Sequence, residues 1–226
     1  MRRILMFNHV TLDGYFAGAD GNLTWIVPDE GIDRDAVQRM PSIDTILLGR
    51  RTYQLFEAFW PHAVDDSATA SDPHDSSRRS PTLRSMAVWI NETTKLVFSR
   101  SLKKVTWKNS RIIREIDPRA IEVMKGERGK DMIVFGSGSV VSELTRHRLI
   151  DEYQFVLNPV LLGSGKPMME SVSKRVKLDL IEAKEFSSGN LVLRYAAEGV
   201  PGIVQGATST SRSASGGTPR ADRHRR

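Results

Sequence analysis

The sequence predicts an α/β protein with a mostly parallel central sheet, helices on both faces and an antiparallel hairpin at the C-terminal edge. Three observations carry this. Short apolar runs such as ILMFNHV (4–10), TILLG (45–49), KLVFS (95–99) and DMIVF (131–135) read as strands buried on both faces. Segments with helical spacing alternate with them. The last elements, VKLDLIEAKEF (176–186) and NLVLRYA (190–196), are strands only, and Ser187-Ser188-Gly189 between them reads as a hairpin turn.

The elements follow in order. After the first strand, TLDGYFAGADGN (11–22) carries glycines at 14, 18 and 21 and reads as a loop. A short helix is expected over 33–40, ended by Pro41. The second strand leads into a helix over 50–59 with Tyr53 and Phe56 on one side, and Pro61 closes it. Residues 62–83, rich in Ser, Asp and Pro, read as a mobile surface insertion. A short helix over 83–90 precedes the third strand, and VTWKNSRII (105–113) is a short strand or edge segment. Asp117-Pro118 opens a helix over 119–125. The strand 131–135 turns through Gly136-Ser137-Gly138-Ser139 into a helix over 139–149, and a strand over 151–162 leads to the loop GSGKP (163–167).

Composition narrows the chemistry. The 226 residues are 39% hydrophobic and 27% charged, enough for one core. The expected organisation is a domain over 1–198 and a disordered basic tail over 199–226. With no cysteine, disulfides, thiolate metal sites and a cysteine nucleophile are excluded, which fits a cytoplasmic protein. The N-terminal apolar stretch is too short for a signal peptide, and Asn8, His9 and Asp13 interrupt it. The net charge of +6 is concentrated in the tail, where five arginines stand against one aspartate. No aromatic residue interleaves with those arginines, so nucleic-acid binding is not expected. The five histidines show no metal-ligand spacing, and His9 within the first strand reads as a packed core residue.

In open α/β sheets ligands bind beyond the C-terminal ends of the strands. Three such ends carry suggestive residues: Gly49-Arg50-Arg51-Thr52, Ser99-Arg100-Ser101 and Gly136-Ser137-Gly138-Ser139. Glycine lets a phosphate approach the backbone, helix N-termini offer N–H donors, and arginine adds bidentate contacts. Together they point to a phosphate-rich cofactor, although GSGS lacks the third glycine of a dinucleotide fingerprint.

LDGYFAG, TILLGRRTY, KLVFSRSL, TWKNSRII, VFGSGSVVSEL, LIDEYQFVLNPVLLGSGKPMM and SSGNLVLRY, in this order, resemble the dihydrofolate reductase-like family. The resemblance covers about residues 2–196 and is strongest to the branch related to the C-terminal reductase domain of bacterial riboflavin-biosynthesis deaminase-reductases. It implies a three-layer dihydrofolate reductase-like fold, NADPH as hydride donor, a small-molecule substrate and a homodimer. It places Leu12, Asp13 and Gly14 in the loop leading to the nicotinamide, with Asp13 near the chemistry. Gly49, Arg50, Thr52, Ser99 and Arg100 become cofactor ribose-phosphate contacts, and Gly136, Ser137, Gly138 and Ser139 the pyrophosphate turn. Gly163, Gly165 and Lys166 fall in the family's signature loop on the substrate side.

Asp33 stands where an acidic residue of the first helix holds a pterin, or it serves as the helix N-cap. Trp25 and Trp60 either flank a planar substrate or pack. RRTYQLFEAFWP lacks the paired-aspartate-proline motif of the riboflavin reductases, and no zinc-binding His/Cys pattern of a deaminase is present. The functional expectation is an NADPH-dependent reductase acting on a heterocycle or small carbonyl or imine compound. The alternative is a non-catalytic NADP-binding or redox-sensing module whose tail meets an acidic partner.

Overall fold

Eight strands form one sheet in the order β5-β4-β3-β6-β1-β7-β10-β9 in the computed structural model, which describes residues 1–64, 80–170, 172 and 174–199. The tail beyond Gly199 and most of the expected 62–83 insertion lie outside the described residues. Strands β1 (Ile4–Thr11), β3 (Ile43–Gly49), β4 (Thr94–Phe98), β5 (Ser110–Ile113), β6 (Asp131–Phe135) and β7 (Glu152–Asn158) pair in parallel. Strand β10 (Leu191–Ala197) runs antiparallel to both β7 and β9 (Leu178–Glu185), as expected of the C-terminal hairpin. The left-handed Gly189, φ +83°, closes its turn.

Alternation along the buried strands feeds two layers. Ile4 and Met6 of β1, Met132 and Val134 of β6 and Leu47 of β3 pack beneath α4 (Pro118–Gly126) and α5 (Gly138–Arg146). On the opposite face, Ile46, Leu48 and Ile133 pack with α2 (Arg50–Phe59) and α3 (Pro81–Glu92), through Tyr53, Phe59, Ala87 and Ile90. Helix α1 (Glu30–Arg39) covers β7 and β10 through Ile32, Val156 and Val192.

Several boundaries differ from the sequence expectation. The loop after β1 contains a short strand, β2 (Tyr15–Ala17), paired with β8 (Lys166–Pro167) of the signature loop. Propensity does not reveal it, because its partner lies about 150 residues away and tertiary pairing alone defines it. Helix α1 begins at Glu30, not at 33, and its N-cap is Asp29, whose carboxylate accepts from the Gly31 amide at 2.8 Å. The N-cap reading of Asp33 is thereby corrected: Asp33 sits inside the first turn, and its own amide donates to the Asp29 carbonyl at 3.3 Å. Helix α3 starts at Pro81, within the segment read as insertion, because the Ser80 hydroxyl caps it by accepting from the Leu83 amide at 3.1 Å. Of 105–113, only Ser110–Ile113 is strand.

One buried cation supports the α2–α3 layer. Lys95, fully buried at the start of β4, donates its three ammonium protons to the carbonyls of Ile90 (2.7 Å), Asn91 (3.1 Å) and Thr93 (2.6 Å). These are the acceptors the end of α3 leaves open. The ammonium also lies 4.4 Å from the centre of the Trp107 ring.

Candidate active site

A cleft of about 1660 Å³ runs across the α1–α2–α3 face of the sheet. Its floor is built by the outward-alternating residues of the two central strands, Leu5, Phe7 and His9 of β1 and Ile133 and Phe135 of β6. Ile32, Asp33 and Ala36 of α1 line the cleft, as do Leu55 and Phe56 of α2 and Met86 and Trp89 of α3.

At one end lie the three predicted strand termini. Gly49, Arg50, Thr52, Ser99, Arg100, Gly136, Ser137, Gly138 and Ser139 all line the cleft, so the structure brings these separate sequence signals together. Their detailed roles differ from the simple expectation. The Ser137 hydroxyl accepts from the Gly49 amide at 2.7 Å and hydrogen-bonds the Thr52 hydroxyl at 2.7 Å. The Ser99 hydroxyl accepts from the Leu102 amide at 2.9 Å. A Cβ on Gly136 would meet Thr52 Oγ1 at 3.1 Å, and one on Gly138 would meet the Phe16 ring at 2.8 Å. A side chain at either position would thus require Thr52 or Phe16 to shift.

The helix termini make the sharper observation. Helices α1, α3 and α4 are each capped by their own N-cap side chain, Asp29, Ser80 and Asp117. Helices α2 and α5, whose N-termini line the cleft, have no side-chain cap. Gly49 has no side chain to offer, and Ser137 sits in a left-handed conformation, φ +55° and ψ +60°, that directs its hydroxyl to the neighbouring turn. Two positive helix ends thus converge on one end of the cleft, with the exposed Arg50, Arg51 and Arg100 on its wall. The donor set fits the phosphates of a dinucleotide cofactor.

The opposite end is polar but internally balanced. Glu152, 1% exposed, accepts from Arg194 Nε at 2.7 Å and lies 3.7 Å from Arg3 and 3.8 Å from Arg39. Arg3 also pairs with Asp131 at 2.6 Å, and Arg39 and Arg194 pair with Glu182 at 3.3 and 3.0 Å. The Arg194 hydrogen bond, with the charges of Arg194 and Arg39, holds the Glu182 carboxyl below the usual carboxylate range.

Other predicted residues fall elsewhere. Leu12, Asp13, Gly14 and Gly163 lie outside the cleft lining, and so does Trp25, which is 8% exposed with its indole N–H unpartnered among the described residues. The exposed Asp13 instead ties two loops together. Its carboxylate accepts from the Thr11 hydroxyl (2.5 Å) and the amides of Leu162 (3.0 Å) and Gly163 (2.7 Å). The Thr11 hydroxyl and these amides hold the acid below its ordinary range. Lys166 lines the cleft, as does Trp60. Sequence reasoning missed the floor residues Phe7, His9 and Phe135 and the buried Asn158 that supports His9. The available signal was a polar residue closing an apolar run, as in QFVLN (154–158).

A family model described as the RibD C-terminal domain matches residues 2–192. The chain belongs to the RibD C-terminal domain family. Among curated relatives of this RibD C-terminal domain protein, the uncharacterized protein YyaP of Bacillus subtilis is 28% identical over 198 residues, covering 86% of this chain and 94% of the relative. The Thermotoga maritima diaminohydroxyphosphoribosylaminopyrimidine deaminase/5-amino-6-(5-phosphoribosylamino)uracil reductase superposes with a TM-score of 0.57 at 17% identity, covering 87% of this chain and 56% of that one. Enterococcus faecalis dihydrofolate reductase, solved with NADP(H), superposes with a TM-score of 0.55 at 13% identity, covering 87% and 96%. The fold is dihydrofolate reductase-like.

Proposed function

We propose that the protein is an NADPH-dependent reductase that delivers hydride to a heterocyclic or small carbonyl or imine compound. The nearest named activity is 5-amino-6-(5-phosphoribosylamino)uracil reduction, by family relationship. The carrying observation is that the α2 and α5 N-termini, alone among the five described α-helices, have no side-chain cap, and both open onto the cleft beside Arg50 and Arg100. NADPH, when bound, supplies the hydride.

The chain's part is to bind, orient and exclude water. Amides at the start of α2 and α5 face the phosphates, and Arg50 and Arg100 favour the additional ribose phosphate of NADPH over NADH. Ser137 holds the two turns in register through the Gly49 amide. Asp13 fixes the loop beside β8, so its role is in shaping the site, whereas Asp33 on α1 lines the cleft and is the acid suited to supply or relay a proton. Lys166 extends the wall towards the substrate. A homodimer is part of this proposal, and sedimentation of the full chain tests it. No helix among the described residues is long and apolar enough to cross a membrane.

The deciding experiment is an NADPH-oxidation screen over pterins, pyrimidines and small aldehydes, run beside direct NADPH and NADH titrations. Turnover with NADPH preference supports the reading. Tight NADPH binding without turnover on any compound favours the sensing module, and no NADPH binding removes the proposal.

A further inference from the structure

Gln154 of β7 belongs to a row of side chains that crosses the sheet. Phe7 of β1 is in register with Phe135 of β6 on one side and with Gln154 on the other. Gln154 in turn pairs with Arg194 of β10, and Arg194 with Glu182 of β9. In-register neighbours share a face of the sheet, so two aromatic rings, a carboxamide, a guanidinium and a carboxylate stand side by side. The first four line the cleft. The Phe7 and Phe135 ring centres are 5.8 Å apart, and a flat ring laid over them buries apolar area against ring edges and faces.

The Gln154 carboxamide has one orientation. Its Oε1 accepts from Arg39 Nη1 at 3.1 Å, and a guanidinium can only donate, so the oxygen and not the nitrogen faces Arg39. Arg39 is itself held by Glu182 at 3.3 Å. The Nε2 group carries two protons and has no acceptor among the described residues. Among those residues, the side-chain atoms that are both buried and unpartnered are Trp25 Nε1 and Asn190 Oδ1, so Gln154 Nε2 is open, and the space Gln154 borders is the cleft. A donor of fixed orientation therefore stands beside the aromatic floor.

The charges around it are already matched. Arg3, Arg39 and Arg194 face Asp131, Glu152 and Glu182. A phosphate or carboxylate brought in beside Gln154 would have to compete with these carboxylates for the same guanidinium groups.

We propose that Gln154 is a specificity-determining residue of the reductase site: with Oε1 held by Arg39, it donates a hydrogen bond from Nε2 to a carbonyl oxygen or unprotonated ring nitrogen on the edge of an uncharged planar ring lying over Phe7 and Phe135. This rests on the reductase reading. It narrows the substrate class to neutral ring compounds with an acceptor on the edge facing β7.

Solvent exchange of the ¹⁵N-labelled Gln154 side-chain amide, assigned with Gln154→Glu, is read first in the cofactor-free full chain. The wild-type amide is expected to exchange close to the rate of an unprotected glutamine. Strong protection would mean that a protein acceptor already holds Nε2, and it overturns the proposal without relying on any variant folding. In the second arm, 1-indanone and indane are titrated into NADP⁺-loaded protein. Indanone is expected to bind about tenfold tighter than indane, as one net hydrogen bond allows, and to slow exchange of the Gln154 amide. Gln154→Glu, which keeps the oxygen facing Arg39 and removes the donor, is expected to abolish the difference. Indane-1-carboxylate is expected to bind more weakly than indanone. Equal binding of indanone and indane to wild type, a preference that survives Gln154→Glu, or tighter binding of the carboxylate overturns the proposal. Failure of NADP⁺ to bind strikes the reductase reading, while the exchange measurement still reports on the Gln154 donor.

Discussion

The Ser137 hydroxyl accepts a hydrogen bond from the Gly49 amide at 2.7 Å across 88 positions of sequence. It joins the turn after β3 to the turn after β6, the two places where uncapped helices begin. A buried amide without an acceptor costs about 1–3 kcal/mol. Ser137→Ala is therefore expected to lower stability by about that amount, read by urea unfolding, and to weaken NADPH binding because the two helix ends lose register. Unchanged stability would show that the amide finds another partner.

Arg50 and Arg100 are exposed at the end of the cleft where the uncapped helices begin. Arg50→Ala and Arg100→Ala are each expected to weaken NADPH binding about tenfold, as loss of one charge-assisted contact implies, and to leave NADH nearly unaffected. Titration of both nucleotides at two salt concentrations checks this, and equal losses for both would argue against a ribose-phosphate contact.

Asp13 acts on the signature loop through two backbone amides. Asp13→Ala is expected to raise hydrogen exchange at Leu162 and Gly163, with little change at Gly138 or Ser139. Because folding lowers the acid's pKa, any stabilisation from Asp13 is present above the ordinary aspartate range and fades as pH falls through the folded value. Protection of the two loop amides, taken relative to the intrinsic exchange rate at each pH, should therefore fall in acid in the wild type but not in the variant.

Lys95 offers a test on the alkaline side. Burial lowers its pKa from 10.5 to about 8. Between these values the unfolded chain holds more protons than the folded one, so stability rises with pH in that window. Lys95→Met removes this dependence. The wild type is expected to gain about 1–3 kcal/mol relative to the variant between pH 7.5 and 10. At neutral pH the variant is expected to be less stable, since the end of α3 loses a donor to three carbonyls.

Local chemistry made much of this protein legible. Apolar runs bounded by glycine and proline placed the strands, because a strand buried on both faces admits little else. Helix signals worked where the cap is local: Asp117-Pro118 opens α4 as expected, and Asp29 would have been found by the same rule applied four residues earlier. The meeting of three turns at one end of the cleft was legible because Gly49-Arg50, Ser99-Arg100 and Gly136–Ser139 each follow a strand, and parallel strands bring their C-terminal ends to one edge.

The sequence by itself determined the fold class, the family and which strand ends line the cleft. These follow from residue type and spacing along the chain, and a parallel sheet converts spacing into place. Only the tertiary structure decided what individual polar atoms do. Ser137 serves Gly49, Asp13 serves the 162–163 loop, and Asn158 holds the Val27 amide. A buried hydrogen bond is chosen by distance and direction among whatever the fold brings near, and partners separated by 88 to 150 positions leave no periodic trace in the sequence.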